Sequence, residues 1–130
     1  MPALPTPAPR QVAIKTDYDV VVVRQHVRQL ARELGLGLGQ QAKISTAISA
    51  VARALLAMSC DTTFRMYIEE SRPRAALVIS CGLPTACASG ELAQLEQRVH
   101  FSEARALVDD ATIALDSSGA LISLRMWLSR

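Results

Sequence analysis

The stretch Thr46-Ala47-Ile48-Ser49-Ala50-Val51-Ala52-Arg53-Ala54 lies inside a run, residues 40–58, that contains neither glycine nor proline. Ile44, Ala47, Ile48, Val51, Leu55 and Met58 recur there at spacings of three and four, which puts them on one face of a helix. Asp61 and Thr62 are expected to break it. Ala50 and Ala54 are four apart and so share a side of that helix. Alanine is the strongest helix former, so both positions support the helix while offering no group that moves a proton or holds a cation.

Upstream, Gly35-Leu36-Gly37-Leu38-Gly39 contains the spacing of a dinucleotide fingerprint, but a helix precedes it where that fingerprint needs a strand. The segment reads as a glycine cap and a turn. Before it, Val20, Val23, Val27, Leu30, Ala31 and Leu34 form a helical stripe, and Asp17 or Asp19 is positioned to cap the helix start. Four consecutive valines at 20–23 favour a strand in isolation. Their continuity with the Val27, Leu30, Leu34 stripe decides for helix. Residues 11–16 alternate Val12 and Ile14 with polar neighbours, as a short strand does.

Downstream, residues 63–69 set Met66 and Ile68 against Thr63, Arg65, Tyr67 and Glu69 with period two. A charged turn containing Pro73 leads to a second, buried strand at 75–81, giving an antiparallel hairpin. Residues 82–90 have loop composition. A helix begins near Ser89 or Glu91 with Leu92, Leu95 and Val99 on one face, and a further helical segment spans 102–109. Residues 111–115 and 120–128 read as strands joined by the Asp116-Ser-Ser-Gly119 turn.

The order of strand, two helices, hairpin, helices and hairpin is that of an α+β two-layer sandwich, a mixed and mostly antiparallel sheet with its helices on one face. Residues 11–130 are expected to form one domain, and residues 1–10, with four prolines, a flexible or polyproline-like tail rather than a signal peptide. The 130 residues are half apolar and one-fifth charged, a globular composition. A formal charge of +2, with dispersed arginines, argues against nucleic acid, and no apolar run suits a membrane span. Three cysteines, Cys60, Cys81 and Cys87, are expected to be reduced thiols in a cytoplasmic protein. Their spacing does not suit zinc.

The isolated charges have ordinary readings. Adjacent Asp109 and Asp110 point about 100° apart on a helix and are expected to end one on a solvated face. Glu69 and Glu70, beside Arg72 and Arg74, fit a hairpin tip. His26 and His100 have no acid or nucleophile partner at a telling spacing and read as surface or boundary residues. Trp127 reads as a core or interface aromatic.

The 46–54 frame resembles the N-box of the GHKL (Bergerat-fold) ATPases, closest to the T-A-I-S-E-L-A-R-N form of the anti-sigma serine/threonine kinases of bacterial partner-switching systems. The likeness extends over D-Y-D-V-V-V-V-R-Q-H-V-R-Q-L-A-R-E-L-G-L at 17–36 and Q-A-K-I-S-T-A-I-S at 41–49. It returns at Arg105-Ala-Leu-Val-Asp-Asp110 and over 119–127. The resemblance implies a HATPase-like fold in which the N-box glutamate is the general base and the asparagine four residues on binds the magnesium of Mg-ATP. Here those positions are Ala50 and Ala54.

Two further family requirements are missing. The D-x-G-x-G that reads adenine would fall after the 75–81 strand, where the sequence is Ile79-Ser80-Cys81-Gly82-Leu83-Pro84-Thr85. The glycine-rich lid that wraps the phosphates would fall between Gly90 and Ser102, where there is no glycine. Because phosphoryl transfer is mostly positioning and charge neutralisation, these losses predict no catalytic residue and no ATP or magnesium cofactor.

The expected function is therefore that of a non-catalytic regulator of a partner-switching (anti-sigma, stress-response) system. What the resemblance implies for partners is a STAS-domain antagonist, a PP2C-type phosphatase or a sigma factor, with homo- or heterodimers open. Arg24, Gln25 and Arg28 are the candidate partner-binding residues. One alternative is an active serine/threonine kinase that phosphorylates a STAS-domain antagonist using displaced groups such as Ser49, Arg53 or Asp61. Another is a small-ligand sensor using the vacated nucleotide cleft, lined by Ala50, Ala54, Leu55, Cys81 and Leu83.

Overall fold

The computed structural model describes residues 8–71, 74–88 and 90–128. Within them the order is β1 (Arg10–Ile14), α1 (Asp17–Glu33), α2 (Leu38–Ala57), β2 (Thr62–Ser71), β3 (Arg74–Pro84), α3 (Leu92–Arg98), α4 (Phe101–Arg105), β4 (Asp110–Asp116) and β5 (Gly119–Trp127). The five strands form one sheet in the order β1-β2-β3-β5-β4, and every pairing is antiparallel. The helices supply one side of a continuous apolar core and alternate strand residues supply the other, so the chain is an α+β two-layer sandwich. The turn at Arg72 and Pro73, the helix start at Ser89 and most of the proline-rich tail lie outside the described residues.

The two long helices follow the predicted stripes. Val20, Val23, Val27, Leu30 and Ala31 of α1 are buried, as are Ile44, Ala47, Ile48, Val51 and Leu55 of α2. Thr16 occupies the N-cap position of α1, and the Asp19 carboxylate accepts the backbone N–H groups of Lys15 (2.8 Å) and Thr16 (2.9 Å). Asp19 thus caps from inside the first turn, and these backbone bonds, led by that from Lys15, hold its pKa below the ordinary value. Gly35 ends α1 at φ +82°, where its N–H reaches the Arg32 carbonyl and that of Leu36 reaches Ala31 (both 3.0 Å), a glycine-closed cap.

Helix α2 ends where its sequence suggests, at Ala57 with Met58 as its C-cap. Ser59 turns left-handed (φ 56°), its N–H bonding to Leu56 O (2.9 Å) and that of Cys60 to Leu55 O (3.0 Å). The same pair of backbone hydrogen bonds closes α1 with glycine. Here serine adopts that backbone, and Asp61 and Thr62 lie beyond the helix.

Strand β3 is longer than expected, because Gly82, Leu83 and Pro84 pair with Leu121, Ala120 and Gly119 of β5 and are not loop. The ladder to β2 ends at Phe64 opposite Cys81, so β3 is locally an edge beyond that point and proline's missing N–H leaves no bond unmade. Gly119 is required where the strands meet: at φ +137° a Cβ there would overlap the Leu83 carbonyl.

The open face of the sheet is roofed by side chains. Val78 is fully buried between its cross-strand neighbours Tyr67 and Arg125, although among the described residues no helix covers that face. Glu69 belongs to this face and not to a hairpin tip, since it lies within β2 and bonds to Arg125 of β5. The Arg74 guanidinium sits 5.6 Å from the centre of the Trp127 ring.

Asp110 begins β4 and Asp109 lies in the bend just before it, so neither ends a helix, because α4 stops at Arg105. The Asp109 carboxylate accepts the Trp127 backbone N–H (2.7 Å), and Asp110 lies 3.8 Å from Arg125. The expectation of three reduced thiols is likewise overturned: Cys60 and Cys87 are joined as a disulfide, with their Cα atoms 6.1 Å apart. The fold brings the end of α2 against the turn after β3, a meeting that spacing in sequence does not reveal. Cys81 alone is a free thiol, buried on β3.

Candidate functional site

Two regions follow from the sequence: the α2 face that carries Ala50 and Ala54, and the outer face of α1. On α2, Ala50 is half-buried and Ala54 is buried, but Ala54 stands outside the contiguous apolar core. Both side chains end in a methyl group. Ser49, one of the groups that displaced chemistry would use, is buried and donates its hydroxyl to the Ser45 carbonyl at 2.7 Å. Arg53 and Asp61 are exposed.

The remaining residues proposed to line a cleft are part of the interior. Leu55, Cys81 and Leu83 all belong to the apolar core, none more than 3% exposed. Burial in this apolar setting pushes the Cys81 thiol up to about 12, which leaves it protonated and unreactive. Where a flexible lid would lie, α3 and α4 are helical and anchor Leu95, Val99, Phe101 and Ala104 in the core, with α4 packed on α2. Leu92, expected on the buried face of α3, is 41% exposed, because α3 begins only there and Leu95 and Val99 suffice to dock it.

Ser80 and Gly82 stand at the other surface. With Pro9, Arg65, Tyr67 and Leu121 they line a half-open concavity of about 580 Å³ on the sheet face away from the helices. The two residues therefore face away from α2.

On α1, Arg24, Gln25 and Arg28 do lie together. With Val21 they line a shallow depression of about 210 Å³ on a flank of the helix beside its buried stripe. Among the described residues, neither guanidinium has an ion-pair partner. Val21 is 45% exposed and Tyr18, one turn earlier, 72% exposed, so apolar surface adjoins the two cations. The sequence reading missed these two. The signal was present, since a helix that buries Val20 and Val23 of a four-valine run must turn Val21 outward.

His26, on the flank of α1, has a buried Nδ1 with no hydrogen-bond partner among the described residues. His100 adopts a left-handed backbone (φ 56°) before α4 and lies 3.5 Å from Glu103. The described residues contain no cluster of ligands that would hold a metal ion, and no helix long and apolar enough to cross a membrane.

The fold and these surfaces define an α+β sandwich whose distinctive exposed feature is a helix face bearing two arginines, unpaired among the described residues, beside apolar side chains. Over 42 residues, 32% of the chain, it is 52% identical to serine/threonine-protein kinase RsbT of Bacillus subtilis (strain 168). The chain spans about a third of the length of that relative, 32%, and over this stretch it is related to RsbT-like kinases. No protein-family model matches the chain.

Proposed function

We propose that the protein is a non-catalytic member of a partner-switching system, a GHKL-like chain that regulates by binding and transfers no phosphate. The observation that carries this reading is the pair of methyl side chains at Ala50 and Ala54 on α2, where the N-box frame calls for a carboxylate and an amide. A methyl group neither accepts a proton nor ligates magnesium. The packing of Leu55, Cys81 and Leu83 into the core and the docked α3 and α4 support the same reading.

Recognition is assigned to the face of α1 that carries Arg24, Gln25 and Arg28, with Val21 and Tyr18 as apolar contacts. Two unpaired cations beside apolar groups suit a partner that presents carboxylates next to a small apolar anchor. In a partner-switching system that partner is a STAS-domain antagonist, a PP2C-type phosphatase or a sigma factor. The protein then acts by competing with an active kinase for it, or by pairing with that kinase.

Titration calorimetry of the full chain with ATP, with and without magnesium, tests the central claim: no magnesium-dependent heat is expected. Tight magnesium-dependent binding, with transfer of the terminal phosphate to a STAS-domain serine, would establish the second reading, an active kinase. The match to a protein named as a kinase favours that reading.

A further inference from the structure

Of the three cysteines, two are bonded to each other and the third is sealed in the core. The bonded pair joins two elements otherwise linked only through the chain between them, a sequence separation of 27. Cys60 follows the left-handed Ser59 that closes α2, and its own N–H completes that cap, so its backbone is fixed. Its side chain is only 2% exposed. Cys87 lies in the turn after β3, where its N–H and that of Ala88 both reach the Pro84 carbonyl (2.9 and 3.0 Å). It is half-buried between the exposed Thr85 and Ala86 and the exposed Gly90. Besides the disulfide, this turn is held by a long bond from the Thr85 hydroxyl to the Ser117 carbonyl (3.4 Å).

We propose that Cys87 is a reversible thiol-modification site with Cys60 as its resolving partner, forming a redox-sensitive clip between the cap of α2 and the segment leading into α3. This goes beyond the proposed regulatory function and does not rest on it.

The oxidant is a low-molecular-weight disulfide. The Cys87 thiolate, the more accessible of the two, attacks one of its sulfurs to form a mixed disulfide and expels a small thiolate. The Cys60 thiolate then attacks the Cys87 sulfur and expels the second. Two protein thiols are oxidised, one small disulfide becomes two small thiols once protonated, and the two cysteine protons pass to solvent. Reduction runs the same steps backwards. Cys81 stays out of the exchange because it is 2% exposed and flanked on its strand neighbours by Phe64 and Ile122.

The clip closes a loop between residues 27 apart in sequence, which constrains the unfolded chain by roughly a few hundred-fold in the unfolding equilibrium. In the folded chain its opening releases the turn at 85–88 and the approach to α3, which among its own residues buries only Leu95.

The test equilibrates the full chain in glutathione buffers of graded ratio, quenches with N-ethylmaleimide and maps the cysteines by mass spectrometry. Cys60 and Cys87 should pass together from alkylated to disulfide-linked, in one two-electron step. Cys60→Ser should trap glutathione on Cys87, while Cys87→Ser should leave Cys60 unmodified in the folded chain. Cys87→Ser also keeps the test open if the substitution at buried Cys60 prevents folding. Thermolysin should cut between Pro84 and Leu92 about tenfold faster or more in the reduced wild type. Independent titration of the two thiols, prior reaction of Cys81, or equal cleavage rates in the two states would overturn the proposal.

Discussion

Arg125 of β5 reaches across β3 to Glu69 of β2, Nε to Oε1 at 3.0 Å and a second guanidinium nitrogen to Oε2 at 3.3 Å. The bridge passes over Ala76 and Val78, small enough to let it, and Asp110 approaches the same guanidinium from β4. The bond from Arg125 holds the Glu69 carboxyl below its ordinary value of 4.5. A depressed folded-state pKa contributes stability that is complete above the unfolded-state value and is lost as pH falls through the folded one. The denaturation midpoint should therefore decline once pH drops below that ordinary value. Glu69→Gln should flatten part of the decline without removing it. Asp19, and Asp116 with its bonds from Ser118, are depressed as well and contribute to the decline.

Two of the positive-φ glycines, Gly35 after α1 and Gly119 at the start of β5, should respond unequally to alanine. Gly35 has open space around a new Cβ, so Gly35→Ala should cost about 1 kcal/mol for the backbone alone. Gly119→Ala adds a collision with the Leu83 carbonyl and should cost at least about 3 kcal/mol, or abolish folding. Guanidinium denaturation of the two variants side by side measures the difference.

Ser59 offers the opposite sign. It holds the left-handed position of the α2 cap with a side chain that gains nothing there. Ser59→Gly should raise stability by about 0.5–1 kcal/mol, with Cys60 and Cys87 kept oxidised in both proteins. A loss of stability would show that the serine side chain contributes to the cap.

Charge reversal on α1 separates binding from folding. The double variant Arg24→Glu, Arg28→Glu should leave stability within about 0.5 kcal/mol, since neither guanidinium is ion-paired among the described residues. Capture of the cognate partner should fall by roughly tenfold or more. Unchanged capture would move the recognition surface elsewhere.

The fold was legible wherever one periodicity ruled. The stripes of α1 and α2, the alternation of β2 and the Asp116 to Gly119 turn are each set by local residues, and the structure has them within a few positions. What escaped depends on contacts far along the chain. Pro84 looks like loop until β5 is placed beside it, and the fate of Asp109 is decided by the free N–H of Trp127. The link from Cys60 to Cys87 needs the end of α2 and the turn after β3 brought together. Of the two regions that the sequence marks, the grouping of Arg24, Gln25 and Arg28 follows from helical spacing. The exposure of Tyr18 and Val21 beside them follows from which valines the core can accept.

The roof over Val78 has a consequence for how the protein can change. That roof is assembled from side chains of β2 and β5, and among the described residues no helix lies above it. A residue such as Tyr67 or Arg125 is thus at once part of the protein's exterior and part of its insulation. Any molecule that binds this face by displacing one of them must also wet a buried valine, so occupancy there and integrity of the sheet are a single equilibrium.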